Sequence, residues 1–210
     1  MKIAVFGATG GVGRHVVEQA LERGHQVIAY ARDGSRVPHA GQVEVVVGQL
    51  DDTKTLARCI EHADAVVNTL GARTNSPDQP PLFERAVTQI VAQMKQHDVR
   101  RLVSIAGAGV ILEEDEMTLG RRIIGVILSL VAKHVTRAKE LEVEVIRRSD
   151  LDWVIVRPPR IVEGAATKDY EVAPWRVPGS KISQGDVAHF MLDCVEQDDW
   201  VGRAPLLGYA

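Results

Sequence analysis

The sequence predicts an α/β protein, a single domain whose doubly wound parallel sheet carries helices on both faces. Three observations point there. Runs of β-type residues alternate with segments of helical periodicity along the chain. The first run enters its helix through a glycine-rich turn, Gly7-Ala8-Thr9-Gly10-Gly11-Val12-Gly13. A length of 210 residues at 45% hydrophobic content suits one domain with a sizeable core, and no repeat, low-complexity stretch or second domain is visible.

Lys2–Phe6 is strand one. Val12, Val16, Val17, Ala20 and Leu21 then mark one apolar helix face, and Gly24 is placed to end that helix as its C′ residue. Gln26–Tyr30 and Val43–Val47 are strands two and three. Thr53–Ile60 is a short helix with Asp52 or Thr53 as its N-cap. Ala63–Leu70 is strand four, Pro81–His97 a helix, and Leu102–Ala106 strand five. A long helical region, with room for a break, covers Leu119 to Ser149. Asp152–Arg157 is strand six, Asp186–Glu196 a late helix and Ala204–Leu207 a last strand. In such a sheet, ligands bind across the carboxyl ends of the strands, where the strand order reverses. Pro158–Ser180, rich in Pro and Gly and without periodicity, is the expected substrate-facing insertion.

The strand–glycine–helix start has the physics of a dinucleotide site and makes the expected fold Rossmann-like. Gly7 permits the tight turn, Gly10 lets a phosphate approach the backbone, and Gly13 lets the helix pack close to the strand. The helix start, with Thr9, Gly11 and Val12, presents free N–H groups and a positive dipole end to a pyrophosphate. The end of strand two should meet the ribose. It reads Tyr30-Ala31-Arg32-Asp33-Gly34-Ser35-Arg36, so guanidinium groups at Arg32 and Arg36, with Ser35 between, favour the phosphate of NADP(H). Asp33 leaves NAD(H) possible, because it could pair with an arginine or accept from a ribose hydroxyl. Leu70-Gly71-Ala72, followed by Arg73, should pass close to the cofactor, with Gly71 allowing backbone approach.

The spacing Gly-x-x-Gly-x-x-Gly resembles that of the short-chain dehydrogenase/reductase superfamily. Arg32–Arg36, Val47-Gly48, Thr69–Arg73, Arg157-Pro158-Pro159 and Ile182–Leu192 fall in the order of its NmrA-like NAD(P)H-binding members. Within these the chain is most similar to the biliverdin-IXβ reductase/flavin reductase branch. The resemblance implies that Gln49 and Leu50 lie along the adenine, with Gln49 where the family usually has Asp. It also implies that Ala106, Gly107, Pro158, Pro159 and Ile161 flank the nicotinamide. His134 resembles a histidine of that branch and would line the substrate pocket and help place a proton, the alternative being a solvated helix histidine; Lys139, on the same helix, is a further catalytic candidate, as is Arg160. Two positions depart from the branch: Gly107 replaces a serine, and Arg160 replaces a histidine. Arg160 would favour an anionic acceptor such as a propionate or a flavin phosphate. Typical members carry Tyr-x-x-x-Lys, but none of Tyr30, Tyr170 and Tyr209 has lysine four positions later. Ordinary alcohol/ketone chemistry and sugar-nucleotide epimerisation are therefore disfavoured.

The expected function is NADPH-dependent hydride transfer to a flavin or a related conjugated acceptor such as a linear tetrapyrrole. The alternative is a non-catalytic NAD(P)H-binding redox sensor. A net charge of −3 does not suggest a nucleic-acid partner. The N-terminus does not read as a signal peptide, because its apolar run is short and leads into the glycine turn, and the apolar stretch Ile123–Val131 falls far short of the ~20 residues of a membrane span. That stretch reads as a core helix, a pocket lid or a dimer surface, and the oligomeric state stays open. Cys59 and Cys194 read as buried reduced thiols of a cytoplasmic protein, and the histidines show no metal-ligand spacing.

Overall fold

The structure, a computed structural model, describes residues 1–72, 74–118 and 131–210. Six parallel strands form the central sheet: β1 (Lys2–Phe6), β2 (Gln26–Ala31), β3 (Glu44–Val47), β4 (Ala65–Asn68), β5 (Arg101–Ile105) and β6 (Asp152–Val156). Their spatial order is β3-β2-β1-β4-β5-β6, so the order reverses between β1 and β4. Among the described residues the α-helices are α1 (Gly11–Glu22), α2 (Thr53–Ile60), α3 (Gln79–Gln96), α4 (Lys133–Arg147) and α5 (Gln184–Glu196).

Alternate residues of each strand enter opposite cores. Ile3, Val5, Val27, Ala29, Val67 and Val103 pack with α1 and α5 through Val16, Ala20, Val187 and Met191. Ala4, Phe6, Ile28, Val66, Leu102 and Ile155 pack with α2, α3 and α4 through Leu56, Ile90, Met94 and Ile146. Strands covered on both faces need apolar residues at successive positions, which explains the continuous runs. Cys59 and Cys194 are free and buried, and burial pushes both thiols up, Cys194 to about 12.

Local signals act as expected at two helix ends. Gly24 has φ +77° and closes α1 with bonds from its own N–H to Leu21 and from His25 N–H to Ala20. Asp52 caps α2, accepting from the N–H groups of Lys54 and Thr55. The region 158–180, which shows no periodicity in sequence, contributes short strands outside the central sheet. Strand β7 (Arg160–Val162) pairs in parallel with β9 (Lys181–Ser183), and β8 (Glu171–Ala173) pairs antiparallel with β10 (Leu206–Gly208). The last strand thus joins β8, while its first residue, Leu206, and Arg203 before it bridge to Arg157 and Val154 at the end and edge of β6. Pro205 accepts there from Arg157 but has no N–H to return. Of the long helical region, Lys133–Arg147 is helix, and residues 119–130, with most of the apolar stretch, lie outside the described residues. Among the described residues no helix is long and apolar enough to cross a membrane.

Candidate dinucleotide site

The site is built where the strand order reverses. The chain leaves β1 at Gly7, whose φ of +83° only glycine adopts without strain. A Cβ on Gly7 would also fall 2.6 Å from Thr69 Oγ1, because the end of β4 lies against this turn. Gly10 N–H closes the turn onto Gly7 O at 2.9 Å. Arg14 N–H is the first to bond back into α1, to Gly10 O, so the N–H groups of Gly11, Val12 and Gly13 have no carbonyl to reach within the helix. No side chain caps this end.

The glycines therefore divide their work. A Cβ on Gly13 would sit 2.1 Å from Gly7 O, so Gly13 serves helix–strand packing. A Cβ on Gly11 would meet only the amide end of the Gln184 side chain, at 2.4 Å, which can move aside. Gly10 meets only Gly7 O, at 3.2 Å, and lines the cavity. That cavity measures 530 Å³ and is lined by Gly7, Thr9 and Gly10 from the turn, by Tyr30, Ala31 and Arg32 from β2, and by Gln49, Leu50 and Asp51 after β3. Thr69, Leu70 and Gly71 after β4 close one side, with Thr74 and the α3 residues Gln79, Leu82 and Phe83. Beside it lies a 300 Å³ recess bounded by Thr9, Arg32, Asp33, Arg36 and Gln49. An uncapped helix start opening beside a glycine-lined cavity, with two exposed guanidinium groups at one end, fits a phosphorylated dinucleotide.

Several expected residues take other places. The Ser35 hydroxyl donates to Asp33 at 2.7 Å instead of standing free for a ligand. That bond, the Ser35 N–H and nearby Arg36 hold the Asp33 carboxyl below the usual carboxylate range. Ala72, Ala106, Gly107, Pro158, Pro159 and Ile161 do not line the cavity, and Arg73 lies outside the described residues. Ala106 and Ala108 N–H bond to Val156 O and Pro158 O, so the loops after β5 and β6 run side by side. Arg160 is exposed at the start of β7, away from the cavity lining. His134 is half-buried near the start of α3, its N–H donating to Asn75 Oδ1. There it adds to the Ser76 hydrogen bond that chiefly holds Asp78 below the ordinary range.

Lys139 does not line the cavity. Its ammonium donates to Leu70 O at 2.6 Å, Ile105 O at 2.8 Å and Glu142 Oε2 at 2.9 Å, so all three protons are committed. Four residues before it stands Val135. Sequence reasoning missed Tyr30, Asp51, Thr69, Thr74 and the α3 trio as cavity walls. Gln79, Leu82 and Phe83 share one helix face by spacing, but nothing local says that this face meets a site. Tyr30 Oη donates to Gln49 O at 2.7 Å, and burial, with the charges of Asp52, Cys59 and Asp51, pushes its pKa well up.

A family profile described as NAD(P)H-binding matches residues 7–198. The chain belongs to this NAD(P)H-binding family. YwnB of Bacillus subtilis is 32% identical over 56% of this chain and 53% of its own length. A 3-diazoavenalumate denitrifying reductase of a Streptomyces species is 35% identical over 55% of this chain and 43% of its own. The alignments thus span about half the length of these relatives. A short-chain dehydrogenase/reductase of Veillonella parvula, solved in complex with NADP, shares the fold with a TM-score of 0.80 at 17% identity, covering 99% of this chain and 94% of that one. The relatives with partial matches include proteins named as reductases.

Proposed function

We propose that the protein is an NADPH-dependent reductase that transfers a hydride to a conjugated acceptor, a flavin or a linear tetrapyrrole. The observation that carries this reading is the recess between Arg32, Arg36 and Thr9, opening beside the cavity lined by Gly10. It gives a ribose phosphate two cationic forks at the end of β2, while the first N–H groups of α1 receive the pyrophosphate. When bound, the dinucleotide supplies the hydride. The chain's part is to bind, orient and exclude water. Gly7, Gly10 and Thr9 hold the phosphates, Gln49 and Leu50 flank the adenine, and Leu70 and Gly71 direct the far half toward the loops after β5 and β6. Those loops, at Ala106, Gly107, Pro158, Pro159 and Ile161, together with the 158–180 segment, form the acceptor side. Arg160 stands at its rim for an anionic group. Stacked hydride transfer needs positioning more than a dedicated acid, which suits a site whose lysine protons are all committed.

A second reading, NAD(P)H sensing without turnover, is favoured by one observation: Val135 stands four residues before Lys139, where a proton-donating tyrosine would serve a typical dehydrogenase. NADPH oxidation measured with FMN, riboflavin and biliverdin separates the two. Turnover with any of them supports the reductase. Tight NADPH binding without turnover moves the reading to the sensor.

A further inference from the structure

The ends of β4 and β5 are joined to α4 by polar side chains that see almost no solvent. Asn68, Ser104 and Glu142 are each 1% exposed. Glu142 Oε1 accepts from Asn68 Nδ2 at 2.8 Å and from Ser104 Oγ at 2.8 Å, while Oε2 accepts from Lys139 at 2.9 Å. Asn68 Nδ2 also lies 3.1 Å from Ser104 Oγ. Among the described residues the outward bonds of this network go to main chain. Leu70 is gripped twice: its N–H donates to Asn68 Oδ1 at 3.2 Å and its carbonyl accepts from Lys139 at 2.6 Å. Lys139 also holds Ile105 O, the last carbonyl of β5.

Stability alone does not account for such a cluster. A buried ion pair is often no better for stability than apolar side chains of similar volume, because desolvation offsets the attraction. What it does here is fix two loop ends against each other. Leu70 lines the cavity after β4, two strands along the sheet from the β2 end that carries Arg32, and no bond of the network reaches Tyr30, Arg32 or Gln49.

We propose that Lys139 and Glu142, with Asn68 and Ser104, are positioning residues for the nicotinamide half of the dinucleotide, setting the gap between the ends of β4 and β5 that this half must cross. The inference rests on the dinucleotide reading above. It makes Lys139 a holder of main chain and predicts that the two halves of the ligand respond differently to its loss.

The test is calorimetric titration with NADPH and with adenosine 2′,5′-bisphosphate, which fills only the adenosine half. Lys139→Met is expected to weaken NADPH about tenfold and to leave the bisphosphate within about twofold. Glu142→Gln keeps the volume and an acceptor at Oε1, and is expected to show the same asymmetry at smaller size. Lys139→Arg should recover part of the loss. Equal weakening of both ligands, or no change in either, overturns the proposal. If Lys139→Met does not fold, Glu142→Gln decides by the same criterion. Unmodified protein that binds neither ligand overturns the dinucleotide reading itself, and this proposal with it.

Discussion

The Asp115 carboxylate and the Arg157 guanidinium meet in two parallel hydrogen bonds of 2.7 Å, and neither side chain reaches solvent. Arg157 also donates to Val110 O at 3.0 Å and Ala204 O at 2.8 Å, and Asp115 accepts from Leu112 N–H at 2.8 Å. One pair therefore ties the loop after β5 to the end of β6 and to the C-terminal run. Asp115→Ala would leave a buried guanidinium without its counter-charge and should cost about 3–5 kcal/mol, read by urea unfolding. The double replacement of Asp115 and Arg157 by Leu should cost less than the sum of the two single ones. Strict additivity would show that the pair is not coupled.

Arg32→Ala should weaken NADPH binding by about 1.5–3 kcal/mol, the scale of hydrogen bonds to charged groups, and leave NADH affinity nearly unchanged. Calorimetry with both dinucleotides checks this. Equal losses would remove Arg32 from contact with a ribose phosphate.

Gly10 and Gly13 should respond differently to the same methyl group. Gly10 is in extended backbone (φ −82°, ψ 169°), and a Cβ there faces only Gly7 O at 3.2 Å, so Gly10→Ala should fold and lose NADPH affinity. Gly13→Ala forces a Cβ to 2.1 Å from the same oxygen and should lose about 1–3 kcal/mol of stability or more. Thermal unfolding and a cofactor titration on each variant separate the two effects. Tight NADPH binding by folded Gly10→Ala would show that the turn does not hold the phosphates.

Acid stability should depend on Asp186. This buried carboxylate accepts from Thr167 N–H and Oγ1, Lys168 N–H, Ser183 Oγ and Tyr209 Oη. Burial raises its pKa, but these bonds, led by that of Tyr209, outweigh burial and lower it overall. A depressed folded value means that the contribution is complete above the unfolded pKa of about 3.9 and is lost as pH falls below that toward the folded value. Asp186→Asn should therefore lower stability at neutral pH and flatten its fall in the acid range. An unchanged acid slope would mean that other carboxylates set it.

Arg160→Ala should raise KM for FMN more than for uncharged riboflavin, because only the FMN phosphate can accept a charge-assisted hydrogen bond from the guanidinium. Steady-state kinetics with both acceptors decide it. Equal effects would take Arg160 out of the acceptor site.

Much of the fold was legible because it is written in short-range patterns. Apolar runs place each sheet strand within a few residues, Asp52 marks the start of α2, Gly24 marks the end of α1, and the Gly7–Gly13 turn locates the phosphate end of the site. Each of these reports a local constraint: burial on both faces, a free N–H to cap, a positive φ, or a backbone that must stay bare. By itself, the sequence determined the α/β class and the NAD(P)H-binding turn. Only the tertiary structure decided what the buried polar residues do. Lys139 reads in sequence as a catalytic candidate on the helix of His134, and nothing local links it or Glu142 to Asn68 or Ser104. They become one network because β4, β5 and α4 converge across separations of 36 to 74 residues. The same holds for Asp115 with Arg157, 42 residues apart, and for β8 pairing with β10 instead of the last strand extending the central sheet. Periodicity records whether a side chain is buried, but not which partner satisfies it. That choice is made when distant segments pack, since a buried polar group must find its hydrogen bonds wherever the fold brings a donor or acceptor within reach.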